Sequence, residues 1–282
     1  MARTLTPIGL LGCGSIGSTI AQALRRDATL NARLLAVYDW DGEKARHLTQ
    51  TIAPKATVAS TFDEFLGLPF RLLVESASQN AVREYGVRAL SAGKNVVIMS
   101  VGALMDNDLR EQLVATAAKV GRAIHTPSGA IGGLDLVRAA GEGKLYSVCL
   151  TTQKPPRAYH DAPYFTRQGI SPGEIRSPRI LYEGSAEEAV KLFPANVNVA
   201  AALSMAGLGG KATQVKIVAD PNLNVNIHEI EIQGDFGSAK ITVQNKPHPD
   251  NPGTSTLAAL SAIETIRRAC ASPGTLLTKA VK

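Results

Sequence analysis

The chain has 282 residues, of which 45% are apolar and 19% charged. This length and composition are typical of a globular protein of two domains and exclude a disordered chain. The net charge is +6, and because its basic residues are scattered, the sequence argues against a nucleic-acid-binding protein and suits small anionic ligands.

The first half of the sequence alternates between short apolar strands and amphipathic helices. Strands are predicted at 7–11, 34–38, 57–59, 72–75, 95–99 and 123–125, and helices at 18–26, 42–51, 61–66, 81–92 and 106–120. This rhythm predicts parallel βαβ units, as in a Rossmann (doubly wound) domain. Residues 126–130 read as the hinge to a second domain.

The second half has a different pattern, typical of an α+β domain with a largely antiparallel sheet. Strands are predicted at 147–152, 214–219, 224–234 and 237–244, with His228, Ile230 and Ile232 on one face and Glu229 and Glu231 on the other. Ser185 and Glu188 form a capping box that begins a helix, which Pro194 ends, and a second helix is predicted at 197–205.

The last helix is predicted at 255–270, with Leu257, Leu260, Ile263 and Ile266 on its apolar face. We expect this helix to pack on the first domain. The predicted boundaries are therefore 1–127 plus 251–282 for a dinucleotide-binding domain, and 128–250 for a substrate, catalytic and dimerisation domain.

Three observations bear on compartment and metals. Cys13, Cys149 and Cys270 are far apart and show no CxxC spacing, which indicates neither a zinc site nor a disulfide framework. No stretch reaches the roughly 18 apolar residues of a membrane span, and the apolar run at 8–11 ends in a glycine turn, unlike a cleavable signal. We expect a cytoplasmic protein without a metal site and without a membrane or nucleic-acid partner.

The glycine-rich segment Gly12-Cys13-Gly14-Ser15-Ile16-Gly17 carries the strongest functional signal. It follows a strand and opens a helix, as a dinucleotide fingerprint requires, so that its backbone can approach a pyrophosphate at the helix N-terminus. Asp39 ends the next strand, where a carboxylate can bind the ribose hydroxyls and favours NAD over NADP. Lys44 and Arg46 keep NADP open, and the alternative role for Asp39 is a helix cap.

Three further segments contain candidate site residues. His228 lies within a strand and could exchange a proton during hydride transfer, the alternative being a core histidine with its hydrogen bonds satisfied. Asn196 could bind the nicotinamide amide or simply cap a helix. Lys154 and Arg157 could hold substrate carboxylates or be solvated loop charges.

Over nearly its whole length the chain resembles the L-aspartate dehydrogenase family. The resemblance rests on the glycine segment, on Gly93-Lys94-Asn95-Val96-Val97 with 99–104, and on four later segments. These are Pro127-Ser128-Gly129-Ala130 with 131–135, Phe193-Pro194-Ala195-Asn196-Val197-Asn198, Asn226-Ile227-His228-Glu229-Ile230 and Pro249–Ser255. Residues 158–180 do not match the family pattern.

The resemblance implies specific roles. It implies that His228 is the catalytic acid/base and that Ala130 and Asn196 contact NAD or NADP, and Ser128 joins Lys154 and Arg157 as a candidate for substrate binding. It also implies L-aspartate, oxaloacetate and ammonia as reactants, a homodimer, and a link to NAD biosynthesis through iminoaspartate.

Two other classes of function stay open at this point. One is a different two-domain reductase, related to dihydrodipicolinate reductase or to sugar oxidoreductases. The Glu-Lys-Pro segment of the latter is replaced here by Ser100-Val101-Gly102, and the histidine pair of the former is missing. The other is a catalytically silent NAD-binding sensor, which would not need His228.

Overall fold

The computed structural model describes residues 5–194 and 197–271, and these form two compact units. The first unit contains residues 5–100, 108–127 and 259–271, and the second contains residues 101–107, 128–194 and 197–258. Among the described helices, none is long and apolar enough to cross a membrane.

The first unit is built on a six-stranded sheet in the order β3-β2-β1-β4-β5-β6. Every pairing in it is parallel, which confirms the predicted Rossmann architecture. Its strands are β1 (Thr6–Leu11), β2 (Ala32–Tyr38), β3 (Thr57–Val58), β4 (Leu72–Glu75), β5 (Asn95–Ile98) and β6 (Ile124–His125). Its helices are α1 (Ser15–Arg26), α2 (Gly42–Thr51), α3 (Phe62–Gly67), α4 (Gln79–Ser91) and α5 (Asn107–Val120).

The strand order reverses between β1 and β4, which are neighbours at the centre of the sheet. In open parallel sheets, ligands bind beside the carboxyl ends of the strands at such a reversal. The glycine segment that follows β1 therefore lies at the position where this fold places a nucleotide.

Helix α1 begins three residues earlier than the sequence pattern predicts, at Ser15 with Gly14 as its N-cap. Its buried residues are Gly17, Ile20, Ala21 and Leu24, a helical spacing that presents one apolar face to the sheet. The helix thus starts within the glycine segment, which brings its first free N–H groups into that loop.

The second unit contains a five-stranded sheet in the order β11-β10-β7-β9-β8. Its strands are β7 (Leu145–Lys154), β8 (Arg179–Ser185), β9 (Gln214–Ala219), β10 (Asn226–Gly234) and β11 (Gly237–Asn245), and a separate pair comprises β12 (Pro247–His248) and β13 (Asn251–Ser255). The helices are α6 (Leu134–Ala140), α7 (Pro163–Gln168), α8 (Ala186–Leu192), α9 (Asn198–Ala206) and α10 (Gly209–Ala212), with short 3-10 turns at Val101–Met105, Pro156–Tyr159 and Pro172–Glu174.

The sheet is antiparallel except between β7 and β9, which pair in parallel. Alternation along β10 separates a buried face, which includes His228 and Ile230, from a face that carries Glu229 and Glu231. Both glutamates are in ion pairs with Lys240 of β11. The predicted division of this strand into an inner and an outer face is confirmed.

The predicted capping box is confirmed at α8. The Ser185 hydroxyl accepts a hydrogen bond from the Glu188 N–H at 3.3 Å, and the helix ends at Leu192, before Pro194. This cap fixes the chain direction where the edge strand β8 passes into the helix.

The last helix, α11 (Thr256–Ala269), packs on the core of the first unit through Ile263 and Ile266 of the predicted apolar face, with one exception on that face. Ala259, Ala262 and Ile266 are buried, whereas Leu260 is exposed, so its assignment to the apolar face is wrong. Ala262 and Ile266 belong to the core of the first unit together with residues of its sheet such as Ile8 and Leu10. The small alanines allow the helix to lie close to its neighbours.

Candidate active site

The three glycines of the loop after β1 are required for different reasons. Gly12 has a φ of +98°, and a Cβ atom there would lie 2.7 Å from the backbone N of Ala77. A Cβ on Gly17 would lie 2.2 Å from the carbonyl oxygen of Gly12. A Cβ on Gly14 would have no described protein atom within 4 Å. Packing of the chain therefore explains Gly12 and Gly17, whereas the open space at Gly14 fits the close approach of a pyrophosphate.

The helix N-terminus adds favourable electrostatics at the same loop. Gly14 caps α1 without a side-chain hydrogen bond, and Ser15 and Ile16 form the start of the first turn. N–H groups at this position have no partner within their own helix and carry the positive end of the helix dipole. The loop is therefore chemically suited to a dinucleotide phosphate.

Asp39 lies just after β2, and its half-buried carboxylate is held by the backbone. Oδ2 accepts a hydrogen bond from the Cys13 N–H at 2.7 Å, and Oδ1 accepts one from the Asp41 N–H at 2.9 Å. The cap of α2 is Asp41, whose Oδ1 accepts from the Glu43 N–H. The alternative role of Asp39 as that helix's cap is therefore wrong, and its carboxylate is fixed against the glycine loop.

The two cations near Asp39 already have acidic partners. Arg46 Nη2 lies 2.6 Å from Glu43 Oε1, and Lys44 Nζ lies 3.6 Å from Asp41 Oδ2. A 2′-phosphate would have to compete with these carboxylates for either cation. Both cations near the end of β2 are thus engaged with carboxylates of the chain.

Glu75 is a buried acid in this region that sequence reasoning missed. It ends β4, and its carboxylate accepts hydrogen bonds from the N–H groups of Ala77, Met99 and Ser100 and from the Ser100 hydroxyl. Burial raises the pKa of this carboxyl, while these hydrogen bonds act in the opposite direction. The acid ties the end of β4 to the end of β5. The available signal was an acidic residue ending an otherwise apolar strand at the edge of the glycine loop.

His228 lies on the buried face of β10 and is only 1% exposed. Its Nδ1 lies 3.0 Å from the Thr152 hydroxyl oxygen on β7. Burial, and then the charge of Lys154, lower the pKa of His228 to about 3. The imidazole is therefore neutral near pH 7. The contact with Thr152 occupies Nδ1 and fixes the orientation of the ring.

Lys154 is the last residue of β7 and is 3% exposed, so its interpretation as a solvated loop charge is wrong. Its Nζ donates to the carbonyl oxygen of Gly253 at 3.0 Å and lies 5.9 Å from the ring centroid of Tyr159. Burial lowers the pKa of this amine to about 8. Arg157, the other predicted cation, lies in a short 3-10 turn and is exposed.

Buried amides complete this polar region. Asn226 Nδ2 donates to the Ser255 hydroxyl at 3.1 Å, while Asn226 Oδ1 is buried with no hydrogen-bond partner in the described chain. Asn245 Nδ2 donates to the carbonyl oxygen of Ala130 at 2.9 Å, which fixes that buried segment. Asn196 lies outside the described residues. Ser128 is half-buried, two residues before Ala130.

One further hydrogen bond and one absence complete the description of the site residues. Asn198 Oδ1 accepts a hydrogen bond from the Gly102 N–H at 3.0 Å, a contact that the sequence alone did not indicate. In the part of the chain that the structure describes, no group of three or more acidic, cysteine or histidine side chains could hold a metal ion.

Comparison with known proteins matches both halves of the chain. A family profile described as aspartate dehydrogenase, C-terminal, matches residues 135–269, and one described as homoserine dehydrogenase, NAD binding domain, matches residues 12–127. The L-aspartate dehydrogenase of Methanosarcina barkeri is 44% identical over 262 residues, covering 93% of this chain and 96% of that protein.

Solved structures agree with this assignment. The crystal structure of aspartate dehydrogenase from Thermotoga maritima matches with a TM-score of 0.67 and 26% identity, covering 94% of each chain. The apo scyllo-inositol dehydrogenase of Lactobacillus casei matches with a TM-score of 0.59 at 14% identity, covering 96% of this chain and 89% of that one. The second match shows a shared fold alone. On the extent and identity of the first matches, the chain belongs to the L-aspartate dehydrogenase family.

Proposed function

We propose that the protein is an NAD(P)-dependent L-aspartate dehydrogenase, which converts L-aspartate reversibly to oxaloacetate and ammonia through iminoaspartate. The observation that carries this proposal is the 44% identity to a relative of that name over 93% of the chain, which includes both units. The sugar-oxidoreductase alternative is supported by a shared fold alone, at 11% to 17% identity to inositol dehydrogenases.

The cofactor would be held mainly by the first unit. Gly12, Gly14 and Gly17, with the N–H groups of Ser15 and Ile16, would bind the pyrophosphate, and Asp39 would bind the adenosine ribose. Ala130 and Asn196 are proposed to contact the nicotinamide half. When bound, NAD(P) supplies the acceptor of the hydride that leaves Cα of the substrate.

His228 is proposed to move the protons that accompany this transfer. As a neutral imidazole it can accept a proton at Nε2 from the substrate amine, while Thr152 holds Nδ1 and fixes the ring. Loss of a proton from nitrogen and a hydride from Cα leaves the imine. The same nitrogen can then assist the addition of water and the departure of ammonia, which gives oxaloacetate.

The substrate carboxylates need cationic or hydrogen-bonding partners. We propose Lys154, Arg157 and Ser128 for this role. Lys154 is supported by its burial, since a buried amine without a carboxylate partner favours an anionic ligand. Arg157 is supported only by its position three residues later, on an exposed turn.

We further propose that the protein acts as a homodimer in the cytoplasm. The dimer rests on the family membership. A reducing compartment is supported by the three cysteines, all of which are free thiols in the structure.

The proposed activity is tested by an amino-acid panel with NAD and NADP, read as absorbance of the reduced cofactor. L-Aspartate should be oxidised far faster than L-alanine, L-asparagine or L-glutamate. His228→Asn should lower kcat by about 10² to 10⁴, the usual contribution of a general acid/base, with little change in cofactor affinity. His47→Asn, on an exposed face of α2, is the matched control. A folded His228→Asn variant with wild-type turnover would remove His228 from the mechanism, and a panel without aspartate oxidation would refute the function.

A further inference from the structure

Four buried polar side chains form a compact block on the inner face of the second sheet. Strand β10 pairs with β7 so that His228 lies opposite Thr152 and Ile227 opposite Gln153. One more step in this register places Asn226 beside Lys154. All four side chains are buried, and directly opposed residues of antiparallel strands have Cβ atoms about 4.5 to 5.5 Å apart. We call Thr152, Lys154, Asn226 and His228 the polar quartet.

Strand β13 covers one end of the polar quartet but satisfies it only in part. The Gly253 carbonyl accepts from Lys154, and the Ser255 hydroxyl accepts from Asn226. An ammonium group has three donors, and this is the one hydrogen bond of Lys154 Nζ within the described chain. The buried Oδ1 of Asn226 has no partner there. Buried polar groups are normally paired, so two members of the quartet still have hydrogen-bonding capacity that the described residues do not satisfy.

The charges around the polar quartet leave Lys154 without a counter-ion. Glu229 and Glu231 of β10 lie on the opposite face of the sheet, in ion pairs with Lys240. On the inner face, the charge of Lys154 lowers the pKa of His228, and the Tyr159 ring centroid lies 5.9 Å from Lys154 Nζ. No carboxylate of the described chain is within ion-pair distance of Lys154. A buried positive charge in this setting favours an anionic ligand.

We propose that Lys154 binds a carboxylate of the substrate, and that this binding is coupled to uptake of a proton by Lys154 from solvent. The inference rests on the proposed function and adds to it a residue that determines which substrates bind and how their binding depends on pH. The substrate class is an amino acid with a second carboxylate, whose negative charge balances the buried amine.

The direction of the proton coupling follows from electrostatics. Burial lowers the pKa of Lys154 to about 8, so part of the free enzyme carries a neutral amine at pH 8. An adjacent carboxylate favours the charged form and raises this pKa, and a proton is therefore taken up on binding. The carboxylate also offsets the Lys154 charge that lowers the pKa of His228. Substrate binding thus makes His228 a better proton acceptor.

The experiment uses the enzyme saturated with NADH and succinate as an unreactive dicarboxylate. Isothermal titration at pH 7 to 9, in two buffers with different ionisation enthalpies, measures both affinity and the number of protons exchanged. The wild type should take up a fractional proton at pH 8, and the uptake should be largest above pH 8, between the pKa values of Lys154 in the free and bound enzyme. In Lys154→Met, the uptake should vanish and Kd should rise about 10- to 100-fold, as expected for a lost charge-assisted hydrogen bond.

The matched control is Lys216→Met. Lys216 lies on β9 opposite Thr151, on the other face of the same sheet, and is in an ion pair with Glu183. This variant removes one positive charge and should keep the wild-type affinity and proton uptake. If Lys154→Met is poorly folded in thermal melts, Lys154→Gln replaces it with a polar neutral side chain.

Two outcomes overturn the proposal. One is a folded Lys154 variant with wild-type affinity and proton uptake, and the other is a wild type that binds no succinate or takes up no proton near pH 8. Wild-type aspartate turnover is measured in parallel, and its absence refutes the proposed function instead. If the wild type oxidises aspartate and Lys154→Met binds succinate with unchanged affinity, the role of Lys154 is refuted and the proposed function is not.

Discussion

The neutral state of His228 follows from its place in the sheet. An imidazole that is buried beside Lys154, with its pKa lowered to about 3, is unprotonated at neutral pH and is a weak base. Such a group binds a proton too weakly to accept one efficiently during aspartate oxidation. A negative charge nearby, such as the substrate carboxylate proposed to bind Lys154, would raise the pKa of His228 and allow it both to accept and to donate a proton.

Gly14 offers a test of cofactor binding at a single residue. Gly14→Val should leave the melting temperature close to that of the wild type, because its Cβ meets no described atom within 4 Å, but should weaken NAD at least about 10-fold by blocking the pyrophosphate. Trp40, the one tryptophan of the chain, follows Asp39 and is 86% exposed, so its fluorescence reports the titration. Gly67→Val is the control, since the space around Gly67 is equally open. Equal NAD affinity in the two variants would mean that the loop is only a turn.

Asp39 offers a test of cofactor preference. Asp39→Ala removes the carboxylate that would bind the ribose hydroxyls, and it should weaken NAD more than NADP because repulsion of a 2′-phosphate is lost as well. Asp63→Ala is the control: it removes an exposed carboxylate of α3 that is in an ion pair with Arg88, and should leave the ratio of the two affinities unchanged. Titrations with NAD and NADP measure the ratio of the two affinities. An unaltered ratio in Asp39→Ala would exclude Asp39 as the residue that binds the ribose hydroxyls.

Individual residues differ in how far the sequence could identify them. Each glycine of the loop could be given a role because its requirement comes from backbone geometry that a short motif encodes. His228 and Lys154 could be selected as candidates by residue type. That they lie in one buried block depends on the register of β7 against β10, which is set by pairing between distant segments and leaves no local signal. The burial of Glu75 was hidden for the same reason.

At the scale of elements, strong local sequence patterns were sufficient to predict helices and strands, and weak patterns were not. The strand at 72–75 and the helix at 42–51 were predicted with the bounds that the structure has. Strand β8 was missed because it lies at the edge of the sheet, where only Leu181 is buried and the alternation of apolar and polar residues is faint. The parallel pairing of β7 with β9 was not anticipated, since alternation along a strand does not reveal the direction of its neighbour.

Glu75 links β4 to β5, and removal of its carboxylate should lower the stability of the protein. Glu75→Gln puts an amide donor against donors from Ala77, Met99 and Ser100, and an unsatisfied buried group costs about 1 to 3 kcal/mol. The free energy of unfolding in urea should fall by that amount. Glu64→Gln, at the exposed start of α3, is the comparison variant. If Glu75→Gln were as stable as Glu64→Gln, the carboxylate would not be what joins β4 to β5.

At the scale of the whole molecule, the chain leaves its first unit after β6 and returns to it in α11. The return was expected from a helical apolar repeat that needed a core. One residue of the packing face was misjudged, because the large Leu260 is exposed whereas the small Ala259 and Ala262 are fully buried. Small residues are selected where a helix approaches closely, and composition alone does not indicate where that happens.

The buried amine of Lys154 should also affect how the stability of the whole protein depends on pH. Its pKa is about 8 in the folded chain against 10.5 for the free side chain. A group whose pKa is lower in the folded chain stabilises the folded state at pH values above its pKa in the unfolded chain. This contribution is lost as the pH falls through its pKa in the folded chain. Between pH 8 and 10.5 the unfolded chain therefore holds a proton that the folded chain lacks.

Comparison with Lys154→Met isolates this contribution, because the other titrating groups are common to both proteins. At pH 7 the variant should gain about 2 to 3 kcal/mol relative to the wild type from relief of the buried charge, and this advantage should shrink steadily as the pH rises from 8 toward 10. Urea unfolding at intervals of half a pH unit measures the difference, with Lys216→Met as the control whose difference from the wild type stays flat. Parallel stability curves for the wild type and Lys154→Met would show that the pKa of the amine is the same in the folded and unfolded chains, and would remove the basis for proton uptake by Lys154 on substrate binding.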